Sequence, residues 1–137
     1  MSIKVFEVPV AYTVQAWPQF HDFIEESLHH ARGELTADEA RVYVTQGLWT
    51  LIAVYGEDDA PIGALVIQYF NRLRDRVAFV VAMGGKLILH DETFAMFADI
   101  LKHNGATCIE GGVRKSVARL LRRYGFEEKH RIVGYSL

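Results

Sequence analysis

Cysteine is nearly absent from this 137-residue chain: Cys108 is the only one. A lone thiol cannot form an intrachain disulfide, which excludes a disulfide-stapled scaffold and fits a reducing compartment. Long apolar runs are missing too. None approaches the roughly 18–20 residues of a membrane-spanning helix, and Met1-Ser2-Ile3-Lys4 opens no signal-peptide hydrophobic region. Repeats, linkers and low-complexity tracts are lacking, so one domain over residues 1–137 is expected. These absences together predict a soluble, cytoplasmic domain with no membrane partner.

What is present is core material. Half the residues are hydrophobic and 12% aromatic, enough to exclude extended disorder. The net charge is only −2, but it is unevenly placed. Residues 1–71 hold 3 Lys/Arg against 10 Asp/Glu, and residues 72–137 hold 12 against 7. This asymmetry predicts one face that attracts anions. With a pI near 6.3 it does not specify nucleic acid, and a nucleotide-bearing cofactor or an acidic protein would serve equally well. An acidic half and a basic half also allow a homodimer.

The stretch from Arg76 to Phe126 organises the chain. An apolar strand (Val77 to Met83) runs into Gly84-Gly85, and His90-Asp91-Glu92 forms a polar joint. An amphipathic helix (Thr93 to Asn104), a short strand at Cys108-Ile109, a basic helix (Lys115 to Tyr124) and Gly125-Phe126 follow. Strand, helix and strand at this spacing make a βαβ crossover with parallel strands. Its helix N-terminus favours an anion, through orphan N–H groups and the dipole.

Upstream, Ile3 to Val8 reads as a first strand bounded by Pro9. Trp17-Pro18 opens a helix through Phe20, Phe23, Ile24 and Leu28, stopped by Gly33. Thr36-Ala37-Asp38-Glu39 is a capping box, starting a helix that ends at Gly47. Trp49 to Tyr55 and Ile62 to Phe70 form a hairpin across a polar turn, and Asn71 to Asp75 turns the chain again. Glu127 to Leu137 alternates weakly and is expected to form a terminal strand. The predicted architecture is an α/β mixed sheet, β-α-α-β-β-β-α-β-α-β, with helices on both faces.

This order, with Ala118-Arg119-Leu120-Leu121-Arg122-Arg123-Tyr124-Gly125-Phe126 near its end, resembles the GNAT acyltransferase superfamily. Ala82-Met83-Gly84-Gly85, Asn104-Gly105-Ala106 and Arg114-Lys115-Ser116-Val117-Ala118-Arg119 look like the GNAT-like proteins of tailed bacteriophages. Val117 stands where those carry tryptophan. The resemblance implies acyl-CoA, most simply acetyl-CoA, in a gap between the strands at Val81 and Ile109. Pantetheine would lie along Val81, Ala82 and Met83, and the phosphates near Gly84, Gly85 and Lys86. The sequence departs from the family at three points. Gly84 to Glu92 replaces the usual Arg/Gln-x-x-Gly-x-Gly/Ala loop, with Asp91 or Glu92 expected to cap the helix. Leu121 occupies the position of the tyrosine acid. Arg114 takes the place of a frequent asparagine.

Glu110, after the short strand and before Gly111-Gly112, is the candidate general base; otherwise it is a loop carboxylate or a partner of Arg114. Lys115, Arg119, Arg122 and Arg123 share one side of the basic helix, either as a solvated face or as a contact for phosphate or an acidic protein. His21, His29 and His30 lack ligand partners at a recognised spacing, so no metal is expected. Cys108 reads as a small core residue, and His130 and Tyr135 could line an acceptor pocket. Two functions follow. One is an N-acyltransferase moving an acetyl group from acyl-CoA to an amine of a small molecule or protein. The other is a non-catalytic, phage-encoded protein of the same fold that binds a host or virion protein in the host cytoplasm.

Overall fold

A computed structural model describes residues 3–29, 35–86, 90–113, 115–130 and 132–137. Five strands form one sheet in chain order: β1 (Lys4–Glu7), β2 (Thr50–Tyr55), β3 (Pro61–Asn71), β4 (Arg76–Gly85) and β5 (Cys108–Gly111). Each of the first four runs antiparallel to its neighbour, and β5 lies parallel to β4. The helices are α1 (Thr13–His29), α2 (Ala37–Thr45), α3 (Asp91–His103) and α4 (Lys115–Leu121). The mixed sheet and the βαβ crossover are as predicted.

Two cores form because β2 and β3 alternate between apolar faces. Leu51, Ala53, Ala64 and Val66 pack under Trp17, Phe20, Ile24 and Leu28 of α1 and Ala40 and Val44 of α2. Ile52, Val54, Leu65 and Ile67 pack on the opposite face, against Phe97 and Leu101 of α3. Helices therefore cover both faces of the sheet.

Local signals explain most boundaries. At the start of α2, the Glu39 N–H donates to Thr36 Oγ1 and the Thr36 N–H donates to Glu39 Oε1, each at 3.1 Å. Helix α1 differs from expectation. It begins four residues before Trp17, out of a 3-10 turn over Val10–Tyr12, so Pro18 lies inside it. Its predicted stop, Gly33, lies outside the described residues. The basic helix also ends early: α4 stops at Leu121, and Arg122–Tyr124 tighten into a 3-10 turn before Gly125 at φ 90°.

The expected terminal strand is not formed. Among the described residues, nothing from Glu127 onward is in regular structure, and the sheet ends at β5. Ile132, Val133, Tyr135 and Leu137 are all at least 87% exposed.

Candidate functional site

Strand β5 covers only the first part of β4. Their ladder runs from Val77↔Cys108 to Val80↔Gly111 and then stops, although β4 continues to Gly85. A polar clamp closes the near end. The Arg76 N–H donates to Thr107 Oγ1 at 3.0 Å, and the Thr107 N–H returns to the Arg76 carbonyl at 2.8 Å. Arg76 Nε reaches the Asn104 carbonyl at 3.2 Å, and Asn104 Nδ2 donates to the Tyr69 hydroxyl at 3.0 Å. Burial, the leading effect, pushes the Tyr69 hydroxyl above its ordinary pKa, so it stays protonated in this network. Beyond Val80 β5 has ended, so β4 from Val81 to Gly85 has no strand beside it on that edge.

A bulge lies on that open stretch. Val66 pairs with Ala82 and Ile67 with Val80, leaving Val81 extra. Val81 and Ala82 consequently both pack toward α1, while Val80 and Met83 pack toward α3. The Met83 N–H is already taken: it donates to Ser27 Oγ of α1 at 3.0 Å.

The glycine pair has a packing reason. A Cβ on Gly84 would lie 2.1 Å from the Phe23 carbonyl oxygen, so α1 rests directly on the β4 backbone. Gly85 has φ 114°, and a Cβ there would lie 2.3 Å from Gly63 Cα and the Ile62 carbonyl oxygen. Both glycines permit close approach of protein backbone. Lys86 is exposed, and its N–H donates to the Ile62 carbonyl at 2.8 Å.

Helix α3 begins with His90 at the N-cap and no side-chain cap bond. Asp91 and Glu92, predicted to cap it, instead occupy its first turn, where their charge meets the dipole. The Tyr124 hydroxyl hydrogen-bonds Asp91, and its ring lies on Phe94 at 4.9 Å between centroids. Phe126 meets Phe94 edge-on at 5.8 Å. This tyrosine thus belongs to the packing of the chain end on α3. The Thr93 hydroxyl is buried without a hydrogen-bond partner among the described residues.

Glu110 does not stand alone. Both its oxygens accept from Arg72, a fork-to-fork pair between the β3–β4 turn and β5. The Arg72 hydrogen bond, foremost, holds the Glu110 carboxyl below its usual range. Arg72 also lies over Phe70, 5.4 Å from the ring centroid. Such a carboxylate stays ionised and takes a proton less readily than a free one. Its predicted alternative partner, Arg114, lies outside the described residues. Cys108 is half-buried, and burial, chiefly, pushes its thiol up, as suits a packing residue.

The other candidates disperse. Arg119 and Arg122 line a shallow cavity with Ala118 and Glu128, but the 3-10 turn breaks the helical spacing that placed Arg122 and Arg123 on one face. His130 and Tyr135 are exposed. His21 Nδ1 lies 3.3 Å from Asp22 Oδ1 and 3.5 Å from Glu25 Oε2, and its Nε2 lies 3.8 Å from Asp38 Oδ1, tying α1 to α2. His21, Asp22 and Glu25 each offer a ligand atom within 4.8 Å of the others, a grouping that the sequence reading did not expect; both carboxylates are exposed. Sequence reasoning missed Ser27 and Arg72. Ser27 lies three residues after buried Ile24 on the inner side of α1, a legible signal; Arg72 is 38 residues from its partner and gave none.

No family model matches the chain, and no curated protein matches it by sequence. Solved structures do. AAC(6')-Iy, in complex with the bisubstrate analogue CoA-S-monomethyl-acetylneamine, is similar at a TM-score of 0.69 and 11% identity, over 100% of this chain and 99% of that one. A GCN5-related N-acetyltransferase from Ralstonia eutropha JMP134 is similar at 0.67 and 8%, over 98% and 99%. Glucosamine-6-phosphate N-acetyltransferase from Arabidopsis thaliana is similar at 0.65 and 9%, over 99% of each chain. The chain has the fold of the GNAT acetyltransferases.

Proposed function

We propose that this protein is a GNAT-type N-acyltransferase that binds acyl-CoA, most simply acetyl-CoA, along the open edge of β4 and transfers the acyl group to an amine of a small molecule or protein. The observation that carries this is that β5 ends at Gly111 while β4 runs on to Gly85, which leaves Val81 to Gly85 without a strand partner on that side. An extended edge of this kind fits a ligand with amide groups of its own. In this reading Val81, Ala82 and Met83 hold the pantetheine arm, Gly84 and Gly85 shape the turn beyond it, and exposed Lys86 meets the phosphates. Asp91 and Glu92 oppose a phosphate at α3, so Lys86 is the main source of positive charge there. Bound acyl-CoA supplies an activated thioester: a C–N bond forms, the C–S bond breaks, and the thiol leaves. The chain's part is positioning, together with acceptance of the amine proton by Glu110, directly or through water.

Calorimetry with acetyl-CoA at moderate salt tests the binding. Micromolar affinity, weakened at least fivefold by Lys86→Glu, is expected; no heat at millimolar ligand refutes it. Thiol release with an amine panel, against Glu110→Gln, then tests transfer. The second reading, a non-catalytic and phage-encoded protein that binds a host or virion protein, is favoured by the Arg72–Glu110 pair, which weakens the base. Binding of acetyl-CoA without turnover of any amine would select against catalysis.

A further inference from the structure

We propose that His21, Asp22 and Glu25 form a binding site for one divalent transition ion of the zinc type. The site lies on the side of α1 turned away from Phe23 and Ser27, the residues that meet β4. His21 Nδ1 stands 3.3 Å from Asp22 Oδ1 and 3.5 Å from Glu25 Oε2, and the three ligand atoms fall within 4.8 Å of one another. Two ligands of a tetrahedral ion bound at about 2.1 Å stand about 3.4 Å apart, so a single ion bridges these atoms without moving the helix.

The imidazole is held ready for this role from two sides. Its ring meets the buried Trp17 edge-on, at 6.4 Å between centroids and 78° between planes. Its second nitrogen, Nε2, faces Asp38 of α2, whose Oδ1 lies 3.8 Å away. A metal-ligating histidine ordinarily gives its other ring N–H to a carboxylate, which leaves the first nitrogen's lone pair for the ion. A small turn of the Asp38 side chain brings the pair to hydrogen-bond length. Asp38 comes from a different helix, so its place behind the ring does not follow from helical spacing. Charge points the same way. Three carboxylates surround one imidazole, and among the described residues no lysine or arginine pairs with any of them. Part of the acidic surplus of residues 1–71 gathers here, and a divalent cation balances it. An imidazole nitrogen with carboxylate oxygens suits zinc and its neighbours, whereas magnesium and calcium take oxygen alone. The Asp22 and Glu25 side chains are 99% and 65% exposed, so the ion enters from solvent and water completes its shell.

The full chain, freed of metal by a chelator, is titrated with zinc chloride in competition with a chromophoric chelator. About one equivalent of zinc is expected to bind, and excess magnesium should not displace it. Cobalt(II) in place of zinc should give the visible absorption of a four-coordinate site. His21→Gln should abolish both signals, and Glu25→Gln and Asp38→Asn should each weaken zinc by about tenfold or more. Glu25 and Asp38 are exposed, so these two variants should keep the far-UV spectrum and the metal-free Tm of the wild type, and their loss of zinc reads on the site alone. Zinc should raise the Tm of the wild type and leave that of His21→Gln unmoved, because only a site built by the folded chain stabilises it. Equal zinc affinity in wild type, His21→Gln and Glu25→Gln would place the ion on Cys108 or another histidine and overturn the proposal. A wild-type chain that holds zinc no better than magnesium would refute it outright.

Discussion

Replacing Gly84 with alanine separates two reasons for a glycine at this point: room for a ligand, or room for α1. The structure favours α1. An added Cβ would meet the Phe23 carbonyl oxygen at 2.1 Å, its carbon at 2.8 Å and its Cα at 3.3 Å, all backbone atoms. Since ordinary contact begins at 3.4 Å, the helix must withdraw by about 1 Å, taking the difference from 2.1 Å. Withdrawal loosens Phe20 and Ile24, both fully buried on the same helix. Overpacking costs about 1–3 kcal/mol, and a clash with backbone, which has no rotamer to change, belongs at about 3. In a domain of this size 1 kcal/mol moves Tm by about 3 °C, so Gly84→Ala should melt about 10 °C lower. Differential scanning calorimetry without ligand reads this directly. Gly112→Ala, where an added Cβ meets nothing within 4 Å, should melt with the wild type. If Gly84→Ala melts within about 2 °C of wild type yet no longer binds acetyl-CoA, the glycine serves the ligand and this reasoning fails.

Other perturbations follow from single contacts. Ser27→Ala removes the acceptor of the Met83 N–H; stability should fall by about 1 kcal/mol in urea titration, and acetyl-CoA binding should tighten because no hydroxyl has to be displaced. Thr36→Ala removes the hydroxyl that accepts from the Glu39 N–H in the capping box and should cost about 1 kcal/mol by the same method. Arg72→Ala should raise the Glu110 pKa, which carboxylate-resolved NMR titration would detect. The folded pKa of Glu110 lies below its ordinary value of 4.5, so the pair stabilises the fold above that pH and loses its effect as pH falls through the folded pKa. The Tm difference between wild type and Arg72→Ala should therefore be present at pH 7 and vanish well below pH 4.5; a difference that grows on acidification would contradict the pairing.

Much of this was readable in the chain because it rests on near neighbours. Thr36 and Glu39 find each other within one turn, and the strand–helix–strand spacing from Arg76 to Gly111 leaves few ways to lay β5 beside β4. Helix α1 began where sequence gave a weaker sign: a 3-10 turn after Pro9 feeds straight into Thr13, whose hydroxyl donates to the Val10 carbonyl, and this outcompetes the Trp17-Pro18 start. Gly84-Gly85 announced close approach but not of what, since α1 lies some sixty residues upstream. Glu110 was found as a carboxylate with Arg114 as its alternative partner; Arg72 was not foreseen, because it sits on another turn. The alternation after Glu127 was real at Val133, Tyr135 and Leu137, but alternation supplies a strand only when an edge receives it.

The order of strands bears on how the molecule assembles. β2, β3 and β4 are consecutive in sequence and adjacent in the sheet, joined only by residues 56–60 and 72–75. Their closure costs little chain entropy, so they can form early, as a meander nascent before the C-terminal third has been synthesised. β5 must wait for the whole crossover through α3, and β1 for both earlier helices. Amide exchange should reflect this, with β3 protected up to the global unfolding free energy and β5 exchanging through smaller openings. The β5 edge would then be the part of the sheet that breathes, flanked by a strand that does not.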